Sequence, residues 1–174
     1  MSSQSHLVFT VIAQDRPGLV ERLADAIASA GGNWVESSMA RLGGEFAGIV
    51  SVDIETGSLA DLHGHFDAMI ADGIAITVRS DPQGAAASSG PKVHMDVMSR
   101  DHPGILRAVT QVLTAHGVSI DHLETTVVSG SMQGGDMFKA TADLRLPDDL
   151  APARLSEALE ETAADLMADI TLAD

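Results

Sequence analysis

The sequence predicts an α+β protein made of two copies of one β-α-β-β-α-β module, and three observations predict it. A loop occurs twice: Asp15-Arg16-Pro17-Gly18-Leu19 and Asp101-His102-Pro103-Gly104-Ile105, an offset of 86 residues from Asp15 to Asp101. The register extends beyond the loop, pairing Phe9 with Met95, Val11 with Val97, Leu23 with Val109, Ile27 with Leu113 and Gly31 with Gly117. A shared register of that length is the mark of an internal duplication. Each loop also stands where the apolar period changes from two residues to three or four, the change from a strand to a helix.

The chain has 174 residues, enough for one domain or two small ones, and the duplication decides for two. A first module is expected at 1–80, a linker at 81–91 and a second module at 92–174. Modules of that size bury little core and lean on a neighbour or a second chain. Apolar residues make up 45%, a globular composition. Cysteine is absent, which excludes disulfides and thiolate metal sites. Met1-Ser2-Ser3-Gln4-Ser5 carries neither a basic segment nor an apolar signal core, and no stretch is long enough to span a bilayer. A cytoplasmic location is expected.

The net charge is −15. Residues 1–79 hold 4 basic and 10 acidic side chains, and residues 92–174 hold 6 and 14, so neither half has a basic arm. Binding nucleic acid directly requires cations to neutralise phosphates, and none are gathered here. An effect on transcription would have to pass through another protein.

The first strand is expected over His6–Ala13, with Leu7, Phe9, Val11 and Ala13 on one face and Val8, Thr10 and Ile12 on the other. Val8 and Ile12 make that second face apolar too, as if partly covered in a dimer. A helix from about Pro17 to Ala30 follows, Pro17 suiting a first turn whose N–H has no partner. Its inward stripe is read as Leu19, Leu23 and Ile27 joined by Val20 and Ala24. Gly31-Gly32 supplies the left-handed residue of a helix stop. Asn33–Arg41 and Glu45–Ile54 form a hairpin about Gly43-Gly44. On its second arm Phe46, Val50, Val52 and Ile54 face inward.

Ser58 and Asp61 resemble a capping box, opening a helix with Leu59, Leu62, Phe66, Met69 and Ile70 inward. Gly73 stops it, and Ile74–Val78 is the last strand. The order is the ferredoxin-like, split β-α-β arrangement. Residues 80–91 are small and aperiodic, a linker composition. The second copy repeats the order. Val93, Met95 and Val97 alternate, and Ile105, Val109, Val112 and Leu113 line a helix. Val118–Val128 and Met137–Leu146 form a hairpin whose longer turn, Ser129–Asp136, holds three glycines and is expected to be mobile. Pro152 starts the last helix, with Leu155, Leu159, Leu166 and Met167 inward, and Ile170–Leu172 closes the chain as a strand.

An apolar strand, Asp-Arg-Pro-Gly-Leu, a helix closed by glycine and then Asn33-Trp34 on a new strand resembles the ACT domain, a regulatory module that senses amino acids. Arg100-Asp101-His102-Pro103-Gly104-Ile105 matches the same pattern. The resemblance covers residues 6–79 and 92–173. Two such modules with nothing else are most similar to the glycine cleavage system transcriptional repressor group. The resemblance implies a non-enzymatic protein without a cofactor that binds an amino acid such as glycine or serine. It further implies a homodimer that acts on a protein partner such as a transcriptional activator.

The implied ligand contacts are Asp15, Arg16, Pro17, Gly18 and Leu19 with Asn33, and Asp101, His102, Pro103, Gly104 and Ile105 with Ser119. Asn33 matches the position where ACT domains often place an amide; Ser119 is shorter, so the second site is expected to be weaker or differently selective. In the family, one module's loop lies against the second strand of its neighbour.

Elementary chemistry agrees with the corner as a site. A helix N-terminus presents unpaired N–H groups and partial positive charge to a carboxylate. Asp15 or Asp101 could accept from an ammonium, yet either could equally cap its helix. Gly18 and Gly104 could admit a ligand or only permit close helix–sheet packing. Asn33 could be a turn residue, and Arg16 and His102 could be solvated.

Other features carry less. His63 and His65 are two apart on a helix and cannot chelate from one face, so no metal site is expected. His94, His116 and His122 read as solvated or packed, the methionines as core fillers, and Glu157, Glu160 and Glu161 as a solvated face. No phosphate loop, nucleophile elbow or nucleophile–base pair appears, although this fold class can host small hydrolases. The alternative to a free-standing regulator is a detached regulatory module that controls an amino-acid or one-carbon enzyme.

Overall fold

The computed structural model describes residues 3–80, 89–130 and 134–173. The chain divides into two compact units, Met1–Gly84 and Ala85–Asp174. Most of the expected linker, 81–88, and the tip of the second hairpin turn, 131–133, lie outside the described residues, and with the tip lies the expectation of its mobility.

The first unit runs β1 (Gln4–Gln14), α1 (Leu19–Ser29), β2 (Asn33–Leu42), β3 (Glu45–Glu55), a 3₁₀ turn (Thr56–Ser58), α2 (Leu59–Ala71) and β4 (Ala75–Ser80). The second runs β5 (Lys92–Arg100), α3 (Ile105–Ala115), β6 (Ser119–Ser129), β7 (Asp136–Arg145), α4 (Pro152–Leu166) and β8 (Asp169–Ala173). Each is a four-stranded antiparallel sheet, in the orders β2-β3-β1-β4 and β6-β7-β5-β8. The strand after the helix does not pair with the strand before it; the third strand is inserted between them, as the split β-α-β arrangement requires. Both units are therefore α+β and ferredoxin-like.

One face of each sheet is covered by its two helices. In the first unit Leu7, Phe9 and Val11 of β1 and Val50, Val52 and Ile54 of β3 meet Leu19, Leu23 and Ile27 of α1 and Leu62, Phe66 and Met69 of α2. Each such side chain contributes about 1.5–3 kcal/mol by leaving water. Phe9 and Phe66 stack tilted, centroids 4.8 Å apart, joining β1 to α2. In the second unit Val93, Met95 and Val97 with Ala140, Ala142 and Leu144 meet Ile105, Val109 and Leu113 of α3 and Leu155 and Leu159 of α4. In register, Ala142 of β7 stands where β3 has Val50, Leu144 where it has Val52, and Ala140 where it has Gly48.

Several expectations are corrected. The inward stripe of α1 is Leu19, Leu23, Ala26, Ile27 and Ala30, while Val20 is 47% exposed and Ala24 faces solvent. At 3.6 residues per turn the buried residues run from Ala26, about 60° to one side of Leu23, to Ile27, about 40° to the other. Val20 and Ala24 lie beyond that second edge, at about 60° and 100°. Ile70 is likewise exposed at the end of α2. Met167 is 89% exposed, because it is the left-handed residue (φ 50°) that ends α4 and not part of its stripe. Met98 also faces out, on the uncovered side of β5, so not every methionine fills core. The capping box does not form: the 3₁₀ turn runs straight into α2, and Ser58 makes no side-chain cap. Val8 is half-buried, but Ile12 and Ile49 are exposed on the uncovered sheet face.

Both hairpin arms end as glycine chemistry requires. Gly43 and Gly44 hold φ of 60° and 83°, the paired left-handed turn that matches strand twist. Edge strands β2 and β6 carry a bulge at Trp34/Glu36 and at Ile120/His122. No helix among the described residues is long and apolar enough to cross a membrane.

Candidate functional site

The corner forms where β1 hands the chain to α1. The Asp15 N–H donates to the Gly44 carbonyl across the sheet end (2.9 Å), and the Asp101 N–H donates to Asp136 (2.8 Å), so each loop is tied to its hairpin turn. The chain then turns on Gly18 (φ 89°) and Gly104 (φ 97°), and their carbonyls accept the first helical bonds from Arg22 and Ala108, both at 3.0 Å. This corrects the helix start. Pro17 and Pro103 precede the helix, because a left-handed residue cannot lie inside a right-handed one.

That geometry decides between the roles open to the glycines. A Cβ built on Gly18 or Gly104 meets nothing within 4 Å. Close packing is therefore not why glycine stands there; the positive φ is. The space beside the backbone is open. Leu19 and Ile105, the first helical residues, are buried in their cores, so they anchor the loops and offer an approaching molecule only their backbone.

Neither helix has a side-chain cap, so Asp15 and Asp101 are not caps. Asp15 instead accepts from Arg41 Nη1 of β2 at 3.1 Å, its side chain 28% exposed and that of Arg41 71%. Arg22 pairs with Asp72 at 2.6 Å, and Arg16 Nη2 reaches the Asp72 carbonyl at 3.4 Å, so Arg16 braces the loop against the end of α2. Three of the four arginines in residues 1–79 thus border the first corner. His102 turns back onto its own loop, its Nδ1 3.1 Å from the Pro103 carbonyl.

Asn33 and Ser119 do not join these groups within their modules. Asn33 starts β2 opposite Asp53, whereas Arg41 at the corner end pairs with Phe46. Eight residues of strand separate them, about 26 Å at roughly 3.3 Å per residue. Ser119 pairs with Arg145 at the corresponding far end of its sheet. Reasoning from sequence missed Arg41, whose only signal was a lone cation two positions before a Gly-Gly turn.

Two further polar groupings lie on the uncovered sheet faces. His6 Nδ1 is 2.6 Å from Asp53 Oδ1 and its Nε2 is 3.1 Å from Ser51 Oγ, the connectivity of nucleophile, base and orienting carboxylate. Ser51 lies on β3, an inner strand whose N–H groups are spent on β1 and β2, so that strand offers no free N–H to a developing oxyanion. The trio is a cross-strand clamp. In the second unit His94 Nδ1 is 2.7 Å from Asp143 and its Nε2 is 3.7 Å from Asp96. The hydrogen bond to Asp143 is the main cause that raises the His94 pKa, with the charges of Asp96 and Asp143 adding to it against some desolvation. His94 is thus hydrogen-bonded across the strands while its side chain stays about half-exposed. Among the described residues no three carboxylate or imidazole groups converge as a metal site, and His63 and His65 are exposed.

Residues 5–70 and 96–151 each match the ACT domain, a regulatory and not a catalytic module. No curated protein matches the chain. Among solved structures, an unknown protein from Galdieria sulphuraria is similar over 98% of both chains, with 26% identity and a TM-score of 0.86. A protein provisionally described as a glycine cleavage system transcriptional repressor is similar over 99% of this chain and 98% of its own, with 18% identity and a TM-score of 0.75. At that identity the second likeness concerns the fold.

Proposed function

The chain belongs to the ACT-domain family, with two such domains in tandem, and from that premise we propose that it is a non-enzymatic, amino-acid-responsive regulator acting through a protein partner. One observation carries the reading: the same corner, a carboxylate before a left-handed glycine and an uncapped helix, is built twice with open space beside it. The uncapped N–H groups of the first turn suit an α-carboxylate, and the aspartate suits an α-ammonium. Glycine, or the similarly small serine, is the effector suggested by the likeness to a protein described as a glycine cleavage system repressor.

Asn33 and Ser119 lie too far from their own corners to touch the same ligand, so they would serve a corner brought up by a second copy, in a homodimer. The repressor assignment is supported by a chain of matching length and fold that is so described. A charge of −15 without a basic arm favours action through a protein such as a transcriptional activator over direct binding to DNA.

A thermal-shift series against the common amino acids tests the reading. A ligand at ~100 times its dissociation constant adds about 2.7 kcal/mol to the folded state. One amino acid that raises the melting temperature of the wild type, with the rise lost in a Gly18→Val, Gly104→Val double variant, is the expected result. No rise for any amino acid would remove the free-standing sensor. A detached module would respond only once its enzyme was added.

A further inference from the structure

We infer that Arg41 makes the two corners unequal: it holds the carboxylate of the first as a built-in cation and leaves Asp101 of the second to receive the ammonium of an amino acid. The inference rests on the corner reading above and names which corner acts.

The hairpins place Arg41 and Val127 at the same lattice position. Arg41 pairs with Phe46 and Val127 with Phe138, and the carbonyls that tie down the loops, Gly44 and Asp136, each lie two residues before that phenylalanine. The first position carries a guanidinium 3.1 Å from Asp15; the second carries an apolar side chain that cannot pair with Asp101. No described residue forms an ion pair with Asp101.

An ammonium arriving at Asp15 must displace a cation that is tethered and so present at high effective concentration. It must also approach Arg41 against like charge. An exposed pair of this kind is weak, so its effect on affinity is on the order of fivefold. At Asp101 no described residue supplies such a competitor. This order reverses the one suggested by Asn33 and Ser119, which do not reach their own corners.

The amides of Gly18 and Gly104 report the two corners separately in ¹H–¹⁵N spectra of the full chain. They are titrated with glycine, serine and the other common amino acids. In the wild type Gly104 should saturate at a concentration about fivefold or more below Gly18. Arg41→Met, which keeps the stem and removes the charge, should bring the Gly18 curve down about fivefold and leave that of Gly104 in place. Asp101→Asn should weaken only the Gly104 response. Gly18 saturating first or together with Gly104, or standing unmoved in Arg41→Met, would overturn the inference while the corner reading survives. Amides that move with no amino acid in any variant would overturn both. Arg41 is largely exposed, so its replacement does not threaten the fold.

Discussion

Gly18 and Gly104 stand 86 residues apart in sequence and hold nearly the same left-handed backbone, φ 89° and 97°, each directly before a helix. The left-handed region costs an L-residue about 1–2 kcal/mol. With nothing within 4 Å of a Cβ, conformation is the only term at stake. Gly18→Ala should therefore destabilise the first module by about 1 kcal/mol, with Gly18→Asn costing less and the β-branched Gly18→Val more. Denaturant midpoints of the three variants give the order, and equal costs for all three would contradict it.

The rotated stripe of α1 separates two neighbours in sequence. Leu23 is fully buried, so Leu23→Ala should cost about 2–5 kcal/mol. Val20, 47% exposed, should lose no more than about 0.5 kcal/mol in Val20→Ala. Urea unfolding of both variants would expose a stripe centred elsewhere by bringing the two values together.

Gly48 on β3 lies under Met39 of β2, and a Cβ there would stand 2.7 Å from Met39 Cγ. Gly48→Ala should cost about 1–3 kcal/mol by overpacking. Met39→Ala in the same chain should recover part of it. A double-mutant cycle reads the coupling, and additive effects would mean that the two side chains do not compete for the space.

His94 carries a pH dependence. Its hydrogen bond to Asp143, helped by the charge of Asp96, raises its folded pKa above the ordinary 6.5. A raised imidazole pKa means that the folded state holds the proton more tightly than the unfolded state. The stabilisation is fully present below pH about 6.5 and is lost as pH rises through the folded pKa. Urea midpoints measured from pH 5 to 8 should fall in the wild type more than in His94→Gln. Parallel profiles would leave the His94–Asp143 pair without a part in stability.

What the sequence by itself determined is the part of the molecule that rests on local periodicity and backbone chemistry. The alternation of Leu7, Phe9 and Val11, the helical recurrence of Leu19, Leu23 and Ile27, and glycines where φ must be positive each act over a few residues. Repeating them in register announced two ferredoxin-like modules, and the doubled Asp-x-Pro-Gly marked both corners. Where the helix begins is decided by the φ of Gly18, which no spacing records, so the apolar period alone extends the helix back to Pro17. The limits of a buried arc depend on where the sheet lies, which put Val20 and Ile70 on the wrong side, while Met167 lies past the end of α4 in a left-handed turn.

What only the tertiary structure decided is the company each polar group keeps. Asp15 meets Arg41 because β3 inserts between β1 and β2 and the ends of distant segments come together at one end of the sheet; Asn33 is carried about 26 Å away by β2. Contacts of that kind depend on strand order and register, which are properties of the whole sheet. They could not be read from the residues flanking either aspartate.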